Sequence, residues 1–461
     1  MRHEGCASEH RLAGGCAAGM AVATLGTWLR FALERTPRLD THTRPFVLGC
    51  AVSGLGLALA GVCALRLAPR AGRLSWRALW AWTLAVQGAA VGALALTSSD
   101  VFGNLAFGAL ARAGLSPYAH APPALGSSPF VAPLSSRWVN DPSPYGPLFH
   151  PIAAAAVWLG EQTPSPFWGS FFLYKALLLG ALLGGLWLAA RHLRATRGGE
   201  APEIFALLAF SPLLAWEIPA QGHNDGLLFL ATVAFLVAAA SARPVLAVAA
   251  LAAGVAVKYV LGPLLGLYAL LVARRSLLRA VGLGLLALAV LVAAFLPERD
   301  AVTLRSVLPM LGRETTRHAH SLTDLACLAL EALGRPEASA RAYRLLSALS
   351  SAACAGLLLR AAWRARTLAE VARGYLLFLF GLYLTAPWFQ PWYPCWAMPL
   401  LVVEPSPRWR RFVALFGVVT VVQWALPLDP VSTVAADLWA AARLWQLHRG
   451  EDRPQAPAPG A

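Results

Sequence analysis

The residue that most invites a chemical reading is Asp100. It sits in the run Thr97-Ser98-Ser99-Asp100-Val101-Phe102, where a strongly apolar segment over 76–97 runs out. An ionised group at a membrane boundary is costly unless water, a partner or a ligand meets it, so such a carboxylate is a functional candidate by default. At an interface it is suited to act as general base toward a hydroxyl. A local reading competes, because Ser98, Ser99 and Asp100 are all good helix caps. Residues 100–147, dense in Pro, Gly, Ser and aromatics, read as an external loop without a spanning segment. They include Tyr118 and run into Asn140-Asp141-Pro142-Ser143-Pro144-Tyr145-Gly146-Pro147-Leu148. A long outer loop of this kind can wall a site.

Four further groups could take part. Gln221-Gly222-His223-Asn224-Asp225 sits where an apolar helix over 225–241 begins. Asn224 or Asp225 could cap that helix, yet three polar groups together exceed what capping needs. Lys258 lies in an apolar run between Val257 and Tyr259; it either snorkels to an interface or pairs with a buried anion such as a phosphate. Arg313, Arg317, His318 and His320 form a basic cluster in the 298–342 connection. They fit either a solvated surface helix or an anion site. His318-Ala319-His320 has no third ligand nearby and is a weak metal signal. Trp388, Trp392, Tyr393 and Trp396 fit an interfacial aromatic belt, and the same rings could stack on a sugar face.

The elements that must position these groups are membrane helices. Of 461 residues, 58% are hydrophobic and only 13% charged, which excludes a soluble globular protein of this length. Apolar windows predict spans near 12–33, 45–67, 76–97, 167–190, 203–219, 225–241, 276–297, 343–360, 371–389 and 411–427. Shorter pieces near 148–160, 244–258, 260–273 and 394–404 read as half-crossing or re-entrant helices. The predicted fold class is therefore all-α and polytopic, with about 11–14 membrane helices and a long external loop after the third span. The net charge of +15 is almost wholly arginine, Lys175 and Lys258 being the two lysines. With no nucleic-acid motif, this charge reads as membrane anchoring, not DNA or RNA binding. The seven cysteines show no CxxC pair and read as packing residues.

Arginine placement sets an orientation. Arg66, Arg70, Arg73 and Arg77, then Arg191, Arg194 and Arg197, then Arg274, Arg275 and Arg279, then Arg360, Arg364 and Arg366, then Arg408, Arg410 and Arg411 mark cytoplasmic ends by the positive-inside rule. Asp100 and its loop, the 221–225 turn, the 298–342 connection and the Trp388–Tyr393 stretch then share the external face. Three divisions follow: an additional N-terminal span and linker over 1–44, a transmembrane catalytic unit over 45–430, and a C-terminal helix with a Pro/Ala-rich tail over 431–461.

Taken in order, Ser98-Ser99-Asp100-Val101-Phe102, Gly114-Leu115-Ser116-Pro117-Tyr118, Ser143-Pro144-Tyr145-Gly146-Pro147-Leu148, His223-Asn224-Asp225-Gly226, Lys258-Tyr259 and Pro391-Trp392-Tyr393 resemble the GT-C superfamily of polyprenyl-phosphate-sugar-dependent glycosyltransferases. The likeness is to glycosyltransferase family 87 and the actinobacterial α-1,6-mannosyltransferases, and it covers residues from about 45 to 430. Two positions depart from the pattern: Phe102 stands where relatives often carry Tyr, and Ser116 where Asn or Asp is common.

The resemblance implies a GT-C-like inverting transfer of a hexose, mannose in the nearest family, from a polyprenyl-phosphate carrier to a glycan or glycolipid hydroxyl. The site would face outward from the bacterial inner membrane. Asp100 would be the catalytic base. Tyr118, Tyr145, His223, Asn224, Asp225, Trp392 and Tyr393 would bind substrate, and Lys258, Arg313 and Arg317 the carrier phosphate. Neither metal nor cofactor is implied, the lipid-linked donor being a substrate. The rival class is a transporter or flippase of a lipid-linked sugar or small solute. It predicts polar residues through the midplane and short outer loops, whereas here the polar groups gather at one face.

Overall fold

The computed structural model describes residues 2–39, 43–134, 139–298, 321–386 and 389–426, with a few more between 435 and 447. Among them the regular elements are helices, with no strand. The chain is an all-α polytopic membrane protein. Six described helices are long and apolar enough to cross a bilayer, and a bent pair makes a seventh.

In chain order the helices are α1 (Arg2–Glu34), α2 (Arg44–Leu67), α3 (Trp76–Val91), α4 (Asp100–Arg112), α5 (Phe149–Glu161), α6 (Pro166–Thr196), α7 (Ala201–Ala209), α8 (Pro212–Ala215), α9 (Asp225–Ala240), α10 (Pro244–Val255), α11 (Gly262–Ala273), α12 (Leu277–Phe295), α13 (Leu322–Ala332), α14 (Pro336–Arg364), α15 (Leu368–Thr385) and α16 (Pro407–Ala425). Leu55, Leu59 and Val62 of α2 and Leu278, Leu285 and Leu288 of α12 are exposed apolar residues. On a helix that crosses a bilayer such faces meet lipid, where no water competes for them.

Three departures from the sequence expectation shape the site. The third apolar segment stops being helical at Val91, and residues 92–99 form an irregular stretch before α4. Asp100 therefore opens a new helix. The 203–219 segment is broken: α7 ends at Ala209, Ser211 caps α8 by accepting from Leu214 N, and the two halves bend by 41°. Pro212 lacks the N–H that a continuous helix would use and its ring clashes with the preceding turn. A π-turn over Trp216–Ala220 then carries Pro219 inside it. Last, α10 and α11 are twelve residues each, about 18 Å, short of a roughly 30 Å hydrocarbon core. They form the hairpin expected over 244–273, with Lys258 in the turn between them.

The arginine-rich ends meet one another. Arg73 pairs with Glu9 (3.1 Å), Arg410 with Glu200 (3.1 Å), Arg411 with Glu203 (3.0 Å) and Arg373 with Glu404. Glu200 and Glu217 lie at opposite ends of the bent 198–220 segment, so this ion-pair layer is at the far end of the bundle from the groups described next.

Candidate active site

The irregular stretch 92–99 must find partners for its backbone polar groups, because an unpaired buried N–H or C=O costs about as much as a lost hydrogen bond. Side chains supply them. Leu96 N and Thr97 N both donate to Gln221 Oε1 at 2.8 and 3.0 Å, Leu94 N donates to Thr27 Oγ1 at 2.9 Å, and the buried Lys175 ammonium donates to Ala93 O. Trp216 Nε1 donates to Thr97 Oγ1 at 3.2 Å. Gln221, two residues before His223 in the chain, thus pins the segment that delivers Asp100.

Asp100 sits in the first turn of α4, where unpaired helical N–H groups favour negative charge. Its side chain is 22% exposed, and its Oδ2 lies 3.7 Å from His223 Nδ1. One helical turn on, Asn104 Nδ2 donates to Gly222 O at 3.3 Å, which clips α4 to the 221–225 turn. Gly222 adopts φ +75°, and a Cβ there would stand 2.7 Å from Val101 Cγ2. Only glycine permits both the left-handed turn and this approach. The π-turn continues into it, with Gln221 N donating to Trp216 O (2.8 Å), Gly222 N to Ile218 O (3.0 Å) and His223 N to Glu217 O (3.0 Å).

Behind Asp100, His223 is buried (2% exposed). Its Nε2 lies 3.4 Å from Oε2 of Glu217, itself 1% exposed, and one face of its ring stacks on Trp392 at 3.9 Å and 24°. Asn224 occupies the N-cap position of α9 but makes no side-chain capping bond, and Asp225 does not cap either. Asp225 instead receives Lys258 Nζ at 3.0 and 3.3 Å on its two oxygens and Trp396 Nε1 on Oδ1, while Asn224 Oδ1 accepts from Lys258 at 3.5 Å. The Lys258 ammonium also stands over the rings of Tyr145 (5.7 Å) and Trp396 (5.2 Å) and is 17% exposed. Local capping is therefore not what the His-Asn-Asp run does.

Residues 143–148 are held against this turn by backbone pairing, Gly146 N to Val257 O (2.9 Å) and Leu148 N to Ala256 O (3.0 Å). A Cβ on Gly146 would lie 2.2 Å from Ala256 O. Tyr118 OH donates to Tyr145 O at 2.8 Å. Burial, with Tyr259 and Glu298 nearby, pushes the Tyr118 phenol far above its usual range, so it acts as a neutral donor. Below it, His150 Nε2 meets Ser143 Oγ at 2.8 Å, and Glu298 contacts both His150 and Ser116. This network, absent from the sequence expectations, ties the connection between α4 and α5 to the end of α12.

The fold thus gathers Asp100, His223, Asn224, Asp225, Lys258, Tyr145 and Trp392 around one locus, with Tyr118 supporting it from behind. Tyr393 is buried and stacked on Trp396 at 4.2 Å, at the rear of the same aromatic group. Arg313, Arg317, His318 and His320, and Trp388, lie outside the described residues. Sequence reasoning missed Glu217 as a site residue, and Trp396, expected as a belt or sugar-stacking ring, donates its indole N–H to Asp225. Glu217 carried a usable signal, a carboxylate inside an apolar window.

A helical membrane bundle that presents a partly exposed carboxylate beside an ammonium and aromatic rings has the make-up of a membrane enzyme acting on a polar group. The chain belongs to the family of alpha-(1->6)-mannopyranosyltransferases: that family's N-terminal domain matches residues 4–274, more than half of the chain and including α1, Asp100, the 221–225 turn and Lys258. It is a glycosyltransferase. No curated protein and no solved structure matches it.

Proposed function

We propose that the chain moves a mannosyl residue from a polyprenyl-phosphate carrier to an acceptor hydroxyl on the external face of the bacterial inner membrane, with inversion. The observation that carries this reading is the convergence on the 223–225 turn of Asp100, partly exposed at a helix N-terminus, and Lys258, whose ammonium is held at the turn of a half-crossing hairpin. The acceptor oxygen attacks the anomeric carbon as Asp100 takes its proton, and the bond from that carbon to the phosphate oxygen breaks, its electron pair leaving with the phosphate.

Charge stabilisation of the departing phosphate falls to Lys258 and, from the 298–342 connection, to Arg313 and Arg317. An ammonium has three N–H donors; Asp225 takes the two shorter contacts and fixes its position, and a phosphate oxygen takes the place of the long 3.5 Å contact to Asn224. Tyr145, Trp392 and the 223–225 turn line the approach for the sugar, with Tyr118 and Tyr393 as supports. The sugar arrives already activated, so the scheme calls for no cofactor and no metal. Carrier tails would lie against the short α10–α11 hairpin.

The test is Asp100→Asn in purified protein, supplied in parallel with polyprenyl-phosphate-mannose and -glucose. The amide keeps the shape but cannot take a proton. Carrier binding should persist while consumption of the mannose donor falls at least a thousandfold. Turnover near the parent's would remove Asp100 from the mechanism, and preferential use of the glucose donor would change the sugar.

A further inference from the structure

Glu217 has a surrounding unlike that of three other buried acids. Among the described buried carboxylates, Glu9 meets Arg73, Glu404 meets Arg373 and Asp225 meets Lys258. Glu217 meets an imidazole. Neither of its oxygens has a hydrogen-bond donor in ideal geometry, and His223 Nε2, 3.4 Å away, likewise has no other partner. The other nitrogen of the same ring points at Asp100 Oδ2. A buried polar group is retained only with a partner, and each of these two is the partner the other needs. The separations exceed ideal hydrogen-bond lengths, as such contacts often do before substrate tightens a site.

We propose that Glu217 is a positioning residue for the transfer reaction: it shares one proton with His223 Nε2, so that His223 always presents Nδ1–H, and never a bare nitrogen, to Asp100 Oδ2. This rests on the reading of Asp100 as base. The N–H favours the charged form of the carboxylate that receives the acceptor proton. No proton leaves the Glu217–His223 pair during the step. The proton lost by the hydroxyl ends on Asp100, and the carbon–phosphate oxygen bond breaks as before. Trp392 covers one face of the imidazole, and the π-turn with Pro219 points Glu217 inward; π-turns inside helices recur at functional sites. Among the described residues, the other titratable groups near the trio include Asp225 with Lys258, which neutralise one another, Lys175, whose stem passes Gly222 and whose ammonium donates to Ala93 O, and Tyr174 and Cys395 from neighbouring elements.

The sign of the pH effect follows. A base works ionised, so turnover rises with pH through the pKa of Asp100. A hydrogen bond to the ionised form lowers that pKa, and losing the bond raises it. Glu217→Met frees the ring to turn its bare nitrogen to Asp100. The expected result is a ten- to hundredfold fall in kcat, donor KM within threefold of the parent, and an acid limb of the kcat profile moved up by about one pH unit. Glu217→Gln keeps a partner for Nε2 without sharing a proton. It should lose less kcat and move the limb the same way by less, and it decides the matter should the Met variant not fold. A parental acid limb in Glu217→Gln, or kcat loss with an unmoved limb in Glu217→Met, would overturn the assignment by reducing Glu217 to packing. Asp100→Asn in the same assay separates the two ideas. If it stays active the base reading falls, whereas if it is dead and both Glu217 variants are parental, only the positioning role falls.

Discussion

Replacing Lys258 with methionine should cost more in stability than replacing its partner, and the two changes together should cost less than their sum. The ammonium sits 3.0 Å from Asp225 Oδ1, with the carboxylate wholly buried and the ammonium 17% exposed. Lys258→Met leaves Asp225 charged, buried and held only by Trp396 Nε1, a situation that costs about 3–5 kcal/mol when a buried pair is broken from one side. Asp225→Asn still accepts from Trp396. It leaves the ammonium with Asn224 Oδ1, the faces of Tyr145 and Trp396 and a route to water, so about 1–3 kcal/mol is expected. The double variant strands no charge. Its loss should fall short of the sum of the two singles by at least about 2 kcal/mol, or roughly thirtyfold in the folded-to-unfolded ratio. Detergent-micelle unfolding followed by tryptophan fluorescence measures all four proteins. Additive losses would refute the coupling on which the site geometry depends. The same set tests the phosphate role: a double variant that regains stability yet cannot consume the carrier, where Asp225→Asn alone still can, shows that the ammonium is needed for the donor, and recovered turnover in the double variant would show that it is not.

Two other expectations follow from single positions. Gly222→Ala puts an L-residue in the left-handed region, at about 1–2 kcal/mol, and sets its Cβ against Val101. Displacing His223 from Asp100 should cut turnover at least tenfold in a chain that still folds, and parental turnover would show that the turn does not control the site. Ser127 is exposed in the connection after α4; a Ser127→Cys variant should react with a membrane-impermeant maleimide applied from outside intact spheroplasts. Labelling seen only after the membrane is permeabilised would invert the proposed orientation.

Much of this protein was legible in its residues because the bilayer imposes simple rules. Runs of apolar residues announce helices, since backbone groups in hydrocarbon must pair within their own segment, and the arginine clusters grouped the loop ends into two sets. Costly polar groups in that background stood out singly: Asp100, His223-Asn224-Asp225 and Lys258. What the chain could not declare was how these meet. Residues 92–97 are as apolar as a helix, yet Gln221 and Thr27 satisfy their backbone and let Asp100 start α4 instead of ending α3. Asp225 reads locally as a cap, but its carboxylate turns to Lys258 and Trp396, 33 and 171 residues away. Glu217 was hidden inside an apolar window, and it became meaningful only when the Pro212 break, the π-turn and Gly222 swung it beneath His223. Composition and periodicity register where a residue lies along the chain and how expensive it is to bury. The partner that offsets that expense is chosen by packing between segments distant in sequence, and only the tertiary structure decides it.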